Sequence, residues 1–391
     1  MDDTNNRRRF LRVAGTTGIA GLAGCSGLFG REVANETDGN DTGNGTANGT
    51  NATDDADQIG SGRDGDGTLK GTPMEEMPDL SGTIDVYSGR GEALVGRLFS
   101  YLKDRYPDLS IEPRYQSSID LVNKIQQEGN NSPADVFFSV NAGALGALAD
   151  AGRTADLPSG VLGLVEPEFR DDDGRWTGTS GRARTIPYNT EAFSEEDIPD
   201  DVFAFPEADR FENAMGWAPS YGSFQAFVTA MRILNGRERT KQWLQGMLDS
   251  GVAEYSDEFA IAQAVADGEI QAGFANHYYI QRVLDGRSDA PLGTAFTEGD
   301  AGAVFNVAGA AVVDTAGDTE TAANFVRHLL SAEAQEYFIT QTYEYPVVPE
   351  AEPIGDLPPV SELNPPSEID LAQLSDIQPT IELLREVGIT V

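Results

Sequence analysis

Residues 84–102 read Ile84-Asp85-Val86-Tyr87-Ser88-Gly89-Arg90-Gly91-Glu92-Ala93-Leu94-Val95-Gly96-Arg97-Leu98-Phe99-Ser100-Tyr101-Leu102, and their hydrophobic period changes midway. Ile84 to Ser88 is a short apolar strand, and Gly89-Arg90-Gly91 a turn. Leu94, Val95, Leu98, Phe99 and Leu102 then form a helical stripe. The unit recurs twice. Ser110 to Tyr115 reads as a strand before a helix marked by Leu121, Val122 and Ile125, and Ala134 to Phe138 as a strand before a helix from Ala142 to Ala149. Three consecutive βα units predict a parallel sheet with right-handed crossovers, in a doubly wound α/β lobe.

The second half repeats the pattern in a different sequence. Ala214 to Ala218 reads as a strand ending in the loop Pro219-Ser220-Tyr221-Gly222-Ser223, with a helix from Phe224 to Leu234. Helices are expected over 240–248 and 260–267, then a strand from Glu269 to Ala275 that ends at Asn276-His277-Tyr278-Tyr279. Ala303 to Asp314 is strand-like, with helices at 319–330 and 332–341. So long an ordered region exceeds one hydrophobic core, which predicts two α/β lobes. Ligands of open α/β sheets sit beyond the carboxyl ends of strands, and here those ends can face each other across a cleft.

Composition excludes several classes. Of 391 residues 39% are hydrophobic, enough for a sizeable core, and 64 acidic against 27 basic residues give a net charge of −37. That charge argues against binding nucleic acid. One cysteine rules out a disulfide framework and a cysteine-rich metal site, and two histidines, His277 and His328, leave little for imidazole-based metal chemistry. No apolar run reaches the ~18 residues of a spanning helix. Only Lys70, Lys103, Lys124 and Lys241 are lysines; the other basic residues are arginines. An acidic, lysine-poor surface stays hydrated in concentrated salt, where self-repulsion is screened, so a halophilic protein is favoured over a merely acidic one.

Residues 1–24 read as a targeting segment. Arg7-Arg8 with Phe10-Leu11-Arg12, then a small-residue apolar run, resembles a twin-arginine export signal. Leu22-Ala23-Gly24-Cys25 resembles a lipobox, making Cys25 the lipidation site and the mature N-terminus. Cleavage there removes four arginines and two aspartates, taking the net charge to −39. Residues 25–81, rich in Gly, Asp, Asn and Thr, are expected to be a disordered acidic tether. The tether carries Asn-X-Thr sequons at Asn35, Asn40, Asn44, Asn48 and Asn51.

Catalytic motifs are absent: there is no G-x-S-x-G elbow, no phosphate-binding Walker loop and no H-E-x-x-H. Tyr278-Tyr279 stands out instead. Neighbouring side chains on a strand face opposite ways, so the two rings converge only if the strand ends there and a helix begins. Such a pair commonly serves packing, but two phenolates are also hard oxygen donors suited to a trivalent cation. Arg90, Arg182 and Arg184 are scarce positive charges near expected strand ends. Arginines alternating along a strand are commonly solvated, yet these can also hold an anion. The loops Ser88–Gly91 and Ser220–Ser223, with Gly222 among them, add backbone N–H donors at helix starts.

Several segments together carry a family resemblance. They are Val86-Tyr87-Ser88-Gly89-Arg90-Gly91-Glu92, Ser132-Pro133-Ala134-Asp135-Val136-Phe137-Phe138, Ser180-Gly181-Arg182-Ala183-Arg184, Gly216-Trp217-Ala218-Pro219, Ser223-Phe224-Gln225, Asn276-His277-Tyr278-Tyr279 and Glu344-Tyr345-Pro346. From about Gly82 to Val348 the chain resembles the ferric-ion-binding solute receptors of ABC importers. The resemblance implies a type II periplasmic-binding-protein-like fold, α/β, with a doubly wound mixed sheet in each lobe and a hinge between lobes. Lobe 1 is expected over 82–187 plus 303–349, and lobe 2 over 188–302 plus 350–391.

The same resemblance implies Fe3+ as cargo, held by Tyr278 and Tyr279, with a synergistic anion, carbonate or phosphate, completing the coordination. Some bacterial members place a histidine in the first loop and a glutamate after the third strand. Here those positions are Gly91 and Val140, which implies a third tyrosine ligand: Tyr221 first, Tyr87 or Tyr188 behind it. Arg90, Arg182, Asn141, Ser220, Gly222, Ser223 and Asn276 are the expected anion-binding residues. His277 is either a donor beside the site or a surface residue. The expected protein is no enzyme but a monomeric receptor, lipid-anchored on the extracellular face of the cytoplasmic membrane, delivering iron to an ABC permease and its ATPase. The alternatives are a receptor of the same fold for an organic anion or polyamine, a secreted hydrolase and an adhesive surface protein.

Overall fold

A computed structural model of the chain describes residues 59–63, 68–366, 369 and 371–391. The export signal, Cys25 and the five sequons lie outside the described residues. β1 (Gly82–Ser88), α1 (Glu92–Arg105), β2 (Leu109–Tyr115), α2 (Ser118–Glu128), β3 (Val136–Ser139) and α3 (Ala142–Asp150) form the three expected βα units. β1 pairs in parallel with both β2 and β3. Ile84, Val86, Val136 and Phe138 enter one core with Val95, Leu98, Phe99 and Leu102 of α1. Tyr87 and Phe137 face the other way, into a cluster with Leu121 and Ile125 of α2 and Leu145 and Leu148 of α3. Both faces are therefore covered, as a parallel sheet requires.

After α4 (Ser159–Leu162) comes β4 (Thr177–Asn189), a strand of 13 residues. The second half adds β5 (Met215–Trp217), α5 (Gly222–Asn235), α6 (Arg237–Asp249), β6 (Ala253–Glu254), α7 (Glu258–Ala266), β7 (Ala272–Gly273), β8 (Ala275–Asn276), α8 (His277–Gly286) and β9 (Leu292–Ala295). β10 (Phe305–Val312), α9 (Thr319–His328), α10 (Ala332–Gln341) and α11 (Gln378–Glu386) follow. The sheet order is β2-β1-β3-β10-β4-β7-β5-β6, with β8 and β9 also paired to β4. Up to Ala183 the partner of β4 is β10; from Arg184 onward it is β8, then β9 and β7. Gly181 is required by this crossing, because a Cβ there would lie 2.1 Å from the Phe305 ring.

β4 thus leads from one core to another. Trp217, Phe224, Phe227, Trp243 and Phe274 fill the second core, and full burial of each such ring contributes about 1.5–3 kcal/mol. Its opposite face carries Ile261 and Val265 of α7 with Ile280 and Val283 of α8. α9 and α10 return to the first core through Phe325, Val326, Tyr337 and Phe338. Leu357 still belongs to that core, whereas Leu383 and Leu384 of α11 belong to the second.

Two expectations are corrected. The single strand over 269–275 is two short pieces, because the chain leaves β5 after Gly273 and shifts along β4 around Phe274, whose ring enters the second core. The tether was expected to run to residue 81, yet packing starts earlier. Ile59, Met74, Met77 and Leu80 are buried. Met74 N–H donates to Glu333 Oε2 at 2.9 Å, and Ala332 N–H to the Thr72 carbonyl at 2.8 Å. Sparse apolar residues in a polar stretch are enough to dock it when a helix face already awaits them. No helix among the described residues is long and apolar enough to cross a membrane.

Candidate functional site

β8 ends at Asn276 and α8 begins at His277, so Tyr278 and Tyr279 occupy the first helical turn. Their ring centroids are 4.3 Å apart. Tyr221, at the N-cap of α5, completes the group, for its hydroxyl and that of Tyr279 are hydrogen-bonded. Asn276 Nδ2 donates to the Tyr278 hydroxyl at 3.3 Å. The three expected phenols are therefore neighbours, brought together by two different strand ends. Tyr87 and Tyr188 are elsewhere. Tyr87 points to the far side of the sheet and donates to Glu128 at 3.0 Å, and Tyr188 packs in the second core.

Tyr221 and Tyr278 line a cavity of about 250 Å³ with Arg90, Arg182, Arg282 and Tyr343. Arg90 is 1% exposed and forked onto Glu344, at 2.6 Å and 3.2 Å, with Ser180 Oγ accepting at 3.0 Å. Ser180 and Thr342 hydroxyls donate to the same carboxylate, each at 2.9 Å. Burial pushes the Glu344 pKa up, but the Arg90 charge and these bonds outweigh it and hold the group below the ordinary carboxylate value. The Nη atoms that were expected to serve an anion thus already serve a carboxylate of this chain.

The other expected anion residues divide. Arg182 donates to the Val140 carbonyl and lies between the main cavity and a smaller one of about 40 Å³. Ser223 and Asn276 border the smaller one with Arg184. Ser223 Oγ, Arg184 Nη1 and the Asn276 N–H, the last at 2.8 Å, all donate to Glu258, a fully buried carboxylate. Asn141 caps α3 through Ala144 N–H at 2.9 Å, and Ser220 donates to the Thr390 carbonyl at 3.3 Å. Gly222 opens α5, whose N-terminus has no side-chain cap. The first N–H groups of a helix lack intrahelical acceptors and favour negative charge.

His277 is fully buried rather than on the surface. Its Nδ1 accepts from Ala183 N–H at 3.1 Å, and its Nε2 donates to the Tyr343 carbonyl at 2.8 Å. Burial lowers its pKa to about 4, so the ring is neutral at pH 7. Tyr343 has φ 57°, a left-handed conformation costing a non-glycine residue roughly 1–2 kcal/mol. Burial first, then the nearby Asp285 carboxylate, raises its pKa to about 12.

Sequence reasoning missed Arg282, Tyr343, Glu344 and Glu258. Arg282 had a signal: it follows Tyr278 by four residues, the spacing that puts side chains on one helix face. Tyr343 lies just past an expected helix end where glycine would be usual. The partners of the buried arginines carried no local signal, being 254 and 74 residues away. Among the described residues no cluster of three or more His, Cys, Asp or Glu side chains is placed to hold a metal ion. Apart from Glu344, which Arg90 already holds, the hard donors lining this cavity that can turn anionic are phenolic.

A family model described as bacterial extracellular solute-binding protein matches residues 100–362. The chain is 28% identical over 317 residues to the Fe(3+)-binding periplasmic protein of Serratia marcescens, covering 78% of this chain and 90% of that one. It is similar in structure to iron-bound HitA from Pseudomonas aeruginosa, with TM-score 0.68 and 29% identity over 80% of this chain and 100% of the other. The Trichodesmium protein IdiA (FutA), in complex with iron and citrate, superposes with TM-score 0.64 and 25% identity over 79% of this chain and 100% of its own.

Proposed function

The chain belongs to the family of bacterial extracellular solute-binding proteins, and on that premise we propose that it is a receptor for ferric iron that delivers its cargo to the permease and ATPase of an ABC importer. The observation that carries this reading is the convergence of Tyr221, Tyr278 and Tyr279 beside a cavity with three arginines. Ferric iron is a hard cation that seeks oxygen donors. Each phenol that binds it gives up its proton, so uptake releases protons and weakens in acid. The iron-bound and iron-and-citrate-bound relatives support the cargo and an accompanying anion.

Three phenolates leave coordination positions for that anion, carbonate or phosphate. Arg182 and the uncapped N-terminus of α5 at Gly222 and Ser223 suit it, with Asn276 ordering the Tyr278 hydroxyl. Arg90 acts on the anion at longer range, since Glu344 already occupies its fork. A chain that binds an organic anion with no metal remains the second reading, favoured by the same three arginines.

Ferric titration watched in the visible range separates the two. A phenolate-to-iron charge-transfer band is expected, and Tyr278→Phe with Tyr279→Phe is expected to abolish it. An unchanged band in that variant refutes the site; tight binding of a carboxylate without metal and without colour supports the second reading.

The finer proposals concern placement. Two lobes divided at 82–187 plus 303–349 and 188–302 plus 350–391 close on the cargo as a monomer. Export through the twin-arginine route, lipidation at Cys25 and a salt-adapted surface keep the receptor at the outer face of the membrane. Mass spectrometry of the native N-terminus tests the anchor, and a mature chain that begins upstream of Cys25 would refute it.

A further inference from the structure

Tyr343 departs from local preference, and its contacts explain what keeps it there. The residue follows α10, whose Tyr337 and Phe338 belong to the first core. Its own contacts run to the other side. Its carbonyl accepts from His277, the Asp285 carboxylate is near enough to raise its pKa, and its ring packs beside the cluster that holds Tyr278, Tyr279 and Ile280 while lining the cavity next to Arg282. His277, Arg282 and Asp285 all belong to α8, the helix that presents the tyrosine pair. The next residue is held just as firmly toward the first core, for Glu344 N–H donates to the Phe338 carbonyl at 3.0 Å and its carboxylate grips Arg90. Backbone strain persists only where surrounding contacts over-determine it, and such positions gather at ligand clamps.

We propose that Tyr343 is a latch: a positioning residue that pins α8 to the first-core side of the cavity and so limits how fast the cargo leaves. The latch rests on the ferric reading for its cargo but not for its geometry. Parting the two sides of the cavity must break the Tyr343 carbonyl bond to His277 and strip its ring from the packing beside the tyrosine pair, while the three phenols remain on their own side. Release is therefore governed by residues that need not touch the metal.

Two variants test this in the full chain, by mixing the ferric protein with excess EDTA and following loss of colour. Tyr343→Gly suits φ 57° without strain and keeps the carbonyl that His277 meets, yet removes the ring and hydroxyl that pack against the α8 side. It is expected to match or exceed the wild-type melting temperature while releasing iron at least tenfold faster, the effect of losing about 1.4 kcal/mol of preference for the arrangement seen here. Tyr343→Phe keeps the backbone and the ring and removes only the hydroxyl, and a smaller acceleration with an unmoved absorption maximum is expected. Wild-type release rates in Tyr343→Gly overturn the proposal, and so does a shifted maximum in Tyr343→Phe, which would make Tyr343 a ligand. If the wild type takes up no ferric ion, the ferric reading falls and small-angle scattering decides the latch. A larger radius of gyration for Tyr343→Gly than for wild type supports it, and equal radii refute it.

Discussion

The two walls of the cavity are built on different principles. One wall, from residues 90–94 and 341–344, centres on an arginine whose charge is consumed internally: Arg90 is buried between Phe138 and Phe338 and forked onto Glu344. The other wall, from Tyr221 and the first turns of α8, presents phenols and Arg282. A charge already matched by a fixed partner gives a rigid surface, whereas a phenol keeps its chemistry in reserve until a cation draws off its proton. The difference separates shape from reactivity. Under the proposed ferric function, the first wall would supply a stable face to close upon and the second the ligating atoms.

The sharpest way to break this contrast is to remove one partner of the Arg90–Glu344 pair. A buried charge left alone costs about 3–5 kcal/mol, so Glu344→Gln should lower stability to denaturant by that order. Arg90→Met with Glu344→Leu should recover most of the loss, and ferric colour should survive in the double variant because no phenol is touched. Loss of colour in a stable double variant would mean that the first wall is chemical as well. The pair also carries a pH signature. The folded pKa of Glu344 is depressed below its usual 4.5, so its stabilisation is present above that pH and is lost as pH falls through the lower folded value.

A second test uses a histidine remote from the cavity. His328 is buried in the first core, with Nδ1 donating to the Asn324 carbonyl at 2.7 Å and the Tyr106 hydroxyl 3.0 Å from Nε2. Burial lowers its pKa from 6.5 to about 4. The unfolded chain therefore takes up a proton near pH 6.5 that the folded chain refuses, and stability falls as pH drops from there to about 4. The gap is worth at most about 3.4 kcal/mol at 1.36 kcal/mol per unit. His328→Phe should flatten the decline of the unfolding midpoint across that range; an unchanged slope would show that the histidine ring is already charged in the folded chain.

The smallest expected effect sharpens the second wall. Tyr221→Phe removes one hydroxyl bond, about 1 kcal/mol of stability to the apo-protein, and should move the ferric band rather than erase it. A band unchanged in position and strength would remove Tyr221 from the ligand set.

The βα units over 82–150 were legible because periodicity is a local property: five or six residues suffice to announce a strand. Tyr278 and Tyr279 were legible for the same reason, since a strand end and a helix start met at Asn276. The rest of the site depended on distance. Nothing near Arg90 announces Glu344, and nothing near Ser223 announces Glu258, so the Arg90 Nη atoms and the Ser223 hydroxyl, which looked available for an anion, are held within the chain. The docked segment before Gly82 was hidden by composition, which averages over the few apolar residues that matter, Met74 and Leu80 among them.

One strand sets a condition on any attempt to divide this protein. β4 gives its first half to β10 and its second to β8 and β9, changing partner between Ala183 and Arg184. A cut that frees either half of the sheet must sever β4 or strip it of its neighbours, leaving a raw edge ready to pair with another chain. Neither half can serve as a stand-alone module for grafting or for a minimal sensor. The same continuity makes the strand a natural strain gauge, because any change in the angle between the halves has to register at Ala183–Arg184, next to the bond from Ala183 to His277. Reporter groups placed across that step would record movement at its source.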